Sequence, residues 1–142
     1  MPLEQKSVNQ APARRRALIA DAASGMRVYL RSILTAAGFD CTEVADGGDA
    51  FDAIMGGRFD ILITDLDMPG MDGFQLLSAI SLLPRSRGRP HMIVCSALLT
   101  NEGLAERRPE LRLASVLLAK PVQPEDVLKA IEKALRPPLG CH

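Results

Sequence analysis

Four polar residues each close a short apolar run, and their types together suit chemistry on a phosphoryl group. Asp21 follows Ala17 to Ala20, Asp65 follows Ile61 to Thr64, Ser96 follows Met92 to Cys95, and Lys120 follows Ala114 to Ala119. An ionised Asp is a weak nucleophile, yet a carboxylate positioned for in-line attack forms an aspartyl phosphate. The charge developing on the phosphoryl oxygens must be met by cations and hydrogen-bond donors. Lys120 offers a fixed positive charge and the Ser96 hydroxyl a donor. Asp21, Asp65 and the backbone carbonyl of Asp67 are hard oxygen ligands of the kind Mg²⁺ prefers. Once formed, an aspartyl phosphate carries extra negative charge and new acceptor oxygens, enough to draw in a hydroxyl or a loop and rearrange a surface.

For these residues to meet, the apolar runs must be strands and their polar ends must share one edge. Ile61, Leu62 and Ile63 form an apolar run bounded by polar residues, the pattern of a strand covered on both faces of a parallel sheet. Met68-Pro69-Gly70 then forces a turn, and Asp72 is placed to cap a helix beginning near Gly73. Earlier in the chain, Ser24 is placed to cap a helix in which Met26, Leu30, Ile33, Leu34 and Ala37 lie on one face, ended by Gly38. Phe39 to Val44 alternates as a second strand, and Asp46-Gly47-Gly48 makes a turn before a short helix with Ala50, Ala53 and Ile54, closed by Gly56-Gly57. Leu76, Leu77, Ile80 and Leu83 give the third helix its apolar face, with Pro84 as its stop. The spacing predicts a weakly amphipathic fourth helix over Asn101 to Leu111, with Arg107 and Arg108 outward. Pro124 suits the first turn of a fifth helix, Glu125 and Asp126 lie near its positive end, and Pro137-Pro138 terminates it.

Five strands alternating with five helices imply right-handed βαβ crossovers and a doubly wound α/β fold. A flavodoxin-like (βα)5 arrangement with strand order 2-1-3-4-5 places strands one and three side by side at the switch point, so Asp21 and Asp65 become neighbours. Ser96 and Lys120 then complete a polar cluster at the same edge. The expected organisation is a disordered leader over residues 1–15, one domain over 16–136 and a short tail over 137–142.

Composition narrows the function classes. Seventeen basic and seventeen acidic residues cancel, which removes an overall electrostatic drive toward nucleic acid or an anionic membrane. No apolar stretch reaches the length of a membrane span or a signal-peptide core, so a soluble cytoplasmic protein is expected. Cys41, Cys95 and Cys141 fit neither a disulfide framework nor a CxxC zinc site and are expected as reduced thiols. Taken singly, each polar residue has an ordinary use as well. Asp65 can bond its own turn, Asp21 can cap the first helix, Ser96 can be a turn serine, and the Arg14 to Arg16 run can be solvated surface. Four such residues at four strand ends make those separate uses a poor account of the set.

DMPGMDG after an apolar strand, Ser96-Ala97 at a strand end and Lys120-Pro121 after the fifth strand resemble the receiver domain of bacterial two-component response regulators, across Arg16 to about Leu135. By that resemblance Asp65 is the phosphoacceptor, Ser96 the switch hydroxyl and Lys120 the phosphoryl contact. A histidine kinase or phosphorelay protein is then the phosphoryl donor, and a downstream protein the target. The resemblance also implies a partner or homodimer surface on the fourth helix, fifth strand and fifth helix, where Arg107, Arg108, Glu125, Lys129 and Lys133 lie. With no effector segment after Leu135, a stand-alone signalling protein is expected. Two positions depart from the family pattern. Ala22 stands where receivers usually carry a second acidic residue, the more direct metal ligand, which implies weaker Mg²⁺ binding and slower phosphoryl transfer. Leu117 stands where an aromatic residue commonly moves with the switch hydroxyl.

Two other functions fit the same residues. A pseudo-receiver would keep the fold and act as an interaction module without phosphorylation. A haloacid-dehalogenase-type phosphatase would use Asp65-Leu66-Asp67 as nucleophile and general acid/base, although Pro69 replaces the usual Thr or Val and there is no room for a cap domain. Nucleotide or flavin binding after strand one has no Gly-rich loop to support it.

Overall fold

A computed structural model describes residues 14–136. Five parallel strands form one sheet in the order β2-β1-β3-β4-β5: β1 is Arg15–Ala20, β2 Phe39–Val44, β3 Ile61–Thr64, β4 His91–Ser96 and β5 Val116–Ala119. The connecting helices are α1 (Ser24–Ala36), α2 (Gly47–Gly56), α3 (Gly73–Ser81), α4 (Leu104–Arg107) and α5 (Pro124–Leu135). This is the flavodoxin-like doubly wound topology expected from the sequence. β1 takes in Arg15, which the sequence reading leaves in the leader. Residues 1–13 of that leader and the 137–142 tail lie outside the described residues.

Alternation along the strands builds two cores. Ala17, Ile19, Ile61, Ile63, Ile93 and Cys95 face α1 and α5, where they meet Leu30, Leu34, Val127 and Ile131. Leu18, Ala20, Leu62, Met92 and Val94 face the other way, against Ala50 and Ile54 of α2 and Leu76, Leu77 and Ile80 of α3. Burying each such Leu or Ile contributes about 1.5–3 kcal/mol, so both sheet faces are strongly specified and register with them. Ala20 pairs with Val44 and Thr64, Thr64 with Val94, and Ser96 with Ala119, which brings the carboxyl ends of all five strands to one edge.

Local signals account for most helix ends. Asp72 accepts from the Gln75 amide while the Gln75 side chain accepts from the Asp72 amide, a reciprocal cap for α3. Asp46 caps α2, which begins at Gly47 itself rather than after the glycine pair. Pro124 opens α5 with Glu125 and Asp126 in its first turn. α3 stops at Ser81, short of Pro84.

Two expectations are corrected. Ser24 does not cap α1: it is itself the first helical residue, and the cap position falls on Ala23, which has no side-chain acceptor. The continuous fourth helix is also absent. Ala97–Thr100 and Pro109–Leu113 are 3₁₀ turns, and α4 between them is only four residues long. Gly103 adopts φ +76° at its start, and Pro109 biases Arg108 out of the helical region, to φ −126°, ψ 84°. No helix among the described residues is long and apolar enough to cross a membrane.

Candidate functional site

The carboxyl edge of the sheet gathers Asp21, Asp65, Ser96 and Lys120. Each backbone position is fixed by the ladder or its extension. The Asp21 amide donates to the Val44 carbonyl at 3.1 Å, the Asp65 amide to Ala20 at 2.9 Å, and the Lys120 amide to Ser96 at 3.2 Å. Asp21, Asp65 and Ser96 are buried, and the Lys120 side chain keeps 20% exposure. The Lys120–Pro121 peptide is cis.

Lys120 Nζ is the hub. It donates to Asp21 Oδ2 at 2.8 Å and to Asp65 Oδ2 at 2.9 Å, so one ammonium bridges two carboxylates drawn from different strands. The second oxygens are used locally. Asp65 Oδ1 accepts from the Leu66 amide at 2.6 Å and the Asp67 amide at 3.3 Å, and Asp21 Oδ1 accepts from Ala23. Ser96 Oγ accepts from the Leu98 amide at 3.2 Å, which leaves its proton available for another acceptor.

Electrostatics follow from this packing. Burial pushes the Asp65 carboxyl up, but the Ser96 hydroxyl, the Lys120 ammonium and the Leu66 amide outweigh it and hold the group below the usual carboxylate value. For Lys120, desolvation pulls down and the two aspartates pull up more strongly, so the ammonium stays charged beyond its ordinary range. Next to Ser96, the Cys95 thiol is pushed up to about 11, mainly by burial, with the Lys120 charge opposing and the Asp21 and Asp65 charges adding. It is a core side chain at neutral pH, as its apolar neighbours suggest.

The donor set fits a hard divalent cation. Two carboxylates already share a single positive charge, and the Asp67 carbonyl accepts no hydrogen bond among the described residues. Mg²⁺ commonly takes one or two carboxylates and completes its shell with water. Among the described residues no three His, Cys, Asp or Glu side chains converge on one metal position, and exposed Ala22 contributes only a methyl group there.

Some supporting residues have no clear signal in the sequence. Arg27 Nη1 donates to the Asp21 carbonyl at 2.7 Å, while its Nε lies 3.4 Å from Glu43, which also meets Arg31 at 3.0 Å. Arg27 thereby braces the turn after β1 against β2. Thr64 Oγ1 donates to the Asp65 carbonyl at 2.8 Å. Gly73 presses against the Asp65 carbonyl and lies so close to Leu66 Cα that an added Cβ would come within 2.7 Å of it. The Glu43 and Gly73 contacts depend on where the chain returns in space. Leu117 on β5 is 41% exposed and borders a shallow hollow with Leu99 and Leu104.

The family profile described as the response regulator receiver domain matches residues 17–132. The chemotaxis protein CheY of Pseudomonas aeruginosa is 34% identical over 119 residues, covering 82% of this chain and 92% of that protein. CheY of Thermotoga maritima is 32% identical over 120 residues, covering 84% and 96%. The structure of the chemotaxis response regulator CheY4 of Vibrio cholerae superposes with a TM-score of 0.74 at 27% identity, covering 87% of this chain and all of that one. With the acidic strand-end cluster set in a β2-β1-β3-β4-β5 sheet, these likenesses establish that the chain belongs to the receiver domain family of two-component response regulators.

Proposed function

We propose that Asp65 accepts a phosphoryl group from the phosphohistidine of a kinase or phosphotransfer protein, and that the 16–136 unit then switches a protein-binding surface in the cytoplasm. The observation that carries this reading is the Lys120 bridge, which gathers two carboxylates and a cation from three strand ends around one space. A structural ion pair needs only one of the two aspartates.

In the transfer, an Asp65 carboxylate oxygen attacks phosphorus as the P–N bond to histidine breaks. The electron pair leaves with the imidazole, which takes a proton from solvent, and an acyl phosphate remains on Asp65. Asp21, Asp65 and the Asp67 carbonyl would hold Mg²⁺, which supplies charge neutralisation on the phosphoryl oxygens when bound. Lys120 exchanges the Asp65 carboxylate for a phosphoryl oxygen and keeps Asp21. Ser96 turns its hydroxyl proton from the Asp65 carboxylate to another phosphoryl oxygen, giving up the Leu98 amide as it turns. The 3₁₀ turn at Ala97–Thr100 is thereby released from its cap, and the effect reaches α4 and Leu117. That face, with β5 and α5, is the proposed site for a downstream partner or a second copy.

Incubation with acetyl phosphate and Mg²⁺, followed by intact mass measurement, tests the proposal. Wild type gains one phosphoryl group and Asp65→Asn gains none. An unlabelled wild type, or equal labelling of the variant, overturns it. A second reading, an interaction module independent of phosphorylation, is favoured by one specific feature: Ala22 withholds a carboxylate, and Lys120 already neutralises much of the pair that remains. Failure to bind Mg²⁺ at millimolar concentration, with partner binding unchanged in Asp65→Ala, selects that reading.

A further inference from the structure

The sheet edge opposite Asp65 carries a cleft of about 490 Å³, between the loop after α3 and the turn before β5. Arg85, Arg89, His91 and Arg112 line it together with Met92 and Leu113, and no Asp or Glu does. In a chain whose acidic and basic residues are equal in number, that is a local concentration of one sign.

The chain geometry builds this concentration. Arg85–Arg87 form a 3₁₀ turn, and Gly88 at φ +80° reverses the backbone so that Arg85 and Arg89 reach the same opening. Arg87 turns away and donates to the Ile54 carbonyl. Arg89 is anchored by one bond, Nη1 to the Ser81 carbonyl at 2.7 Å, which leaves most of its fork available. Arg85 and Arg112 are exposed, and their side chains make no hydrogen bond or ion pair among the described residues. Three guanidiniums without a counter-charge repel one another in the free protein, and an anion relieves that repulsion. Guanidinium forks match phosphate oxygens in pairs, and three such charges exceed the roughly 1.5–2 negative charges that one phosphate group carries near pH 7. The volume lies within the range of small-molecule sites, about 300–1,000 Å³. Leu113, 40% exposed, supplies an apolar wall beside the charges.

We propose that this cleft binds a small anion carrying two or more phosphate groups, held by Arg85, Arg89 and Arg112. The organic part of such a ligand, where there is one, lies against Leu113 and Met92. The site is separate from the aspartate cluster and does not depend on phosphoryl transfer to Asp65.

Pyrophosphate, ADP and adenosine are titrated in turn into the full chain at low ionic strength without Mg²⁺, with amide chemical shifts as the readout. Pyrophosphate and ADP are expected to saturate, moving the amides of 81, 85–89, 91 and 112–115, while adenosine does not. The Arg85→Gln/Arg112→Gln double variant, altered only at exposed positions, weakens both ligands at least about tenfold through lost charge-assisted hydrogen bonds. Arg14→Gln, at an exposed position paired with Asp40 on β2 across the sheet from β4 and β5, leaves both unchanged. Tighter binding of ADP than of pyrophosphate assigns a nucleotide, and equal binding assigns an inorganic polyphosphate. No saturation at millimolar concentration, binding that survives the double variant, or shifts confined to the surroundings of Asp65 and Lys120 overturns the proposal.

Discussion

Lys120 and Asp21 are 99 positions apart in the chain, yet Lys120 Nζ donates to Asp21 Oδ2 at 2.8 Å and to Asp65 Oδ2 at 2.9 Å beside it. The ammonium therefore occupies a position where a cation balances two buried carboxylates, and this has consequences for stability as well as for signalling.

Replacing Lys120 by Met leaves both carboxylates buried against each other. Breaking one side of a buried pair is strongly destabilising, and the partial exposure of Lys120 moderates the cost to about 1–3 kcal/mol. Urea denaturation at neutral pH is expected to show that loss. Mg²⁺ should restore more stability to the variant than it adds to wild type, because it replaces the missing charge.

Stability should depend on pH through the same group of residues. Asp65 is held below its usual value, so the unfolded chain takes up its proton first as pH falls. Its contribution is complete above the unfolded carboxylate pKa and is lost as pH drops through the lower folded value. Lys120 is shifted upward, so its contribution is complete below its ordinary value of 10.5 and is lost as pH rises through the higher folded one. Urea midpoints below about pH 4 should fall less steeply for Asp65→Asn than for wild type. Above the ordinary lysine pKa, Lys120→Met should lack the alkaline loss that wild type shows.

Gly73 tests the link between packing and chemistry. A Cβ there collides with the Asp65 carbonyl and Leu66 Cα, both backbone atoms that cannot swing aside. Gly73→Ala is expected to cost about 1–3 kcal/mol and to slow acetyl phosphate labelling by displacing Asp65. Gly56→Ala meets nothing within 4 Å and should change neither labelling nor fold, which makes it the control.

Ala22→Asp adds a carboxylate at an exposed position beside the cluster. Calorimetric titration should show Mg²⁺ binding tighter by about tenfold, as expected for one more hard oxygen ligand. Without Mg²⁺ the variant should be less stable than wild type, since three carboxylates then share one ammonium.

Much of the site is legible in the sequence because strand ends carry it. Asp65 and Ser96 each follow a compact apolar run, and period-two burial on both sheet faces leaves little freedom in register. Lys120 is legible for the same reason, although β5 starts at Val116 rather than Ala114, after the 3₁₀ turn ends. The fourth helix was less legible. Its apolar spacing suggests a continuous helix, while Gly103 and Pro109 impose backbone preferences that outweigh that weak periodicity. Neither Ser24 nor Asp21 caps α1: Ser24 is already its first residue, and Asp21 turns Oδ2 to Lys120, a residue far along the chain, and Oδ1 to the Ala23 amide.

The sequence by itself determined the alternation of strands and helices, the doubly wound topology and the identities of the residues at its carboxyl edge. Those features depend on local periodicity, turn chemistry and the handedness of βαβ crossovers, all of which act over short stretches. Tertiary structure alone decided that one ammonium serves both aspartates, that Arg27 braces the Asp21 turn, that Gly73 abuts the Asp65 carbonyl, and that Arg85, Arg89 and Arg112 open onto one cleft. Each of these joins residues from separate elements at hydrogen-bond or contact distance, and such distances are set by how the elements pack, which no local pattern encodes.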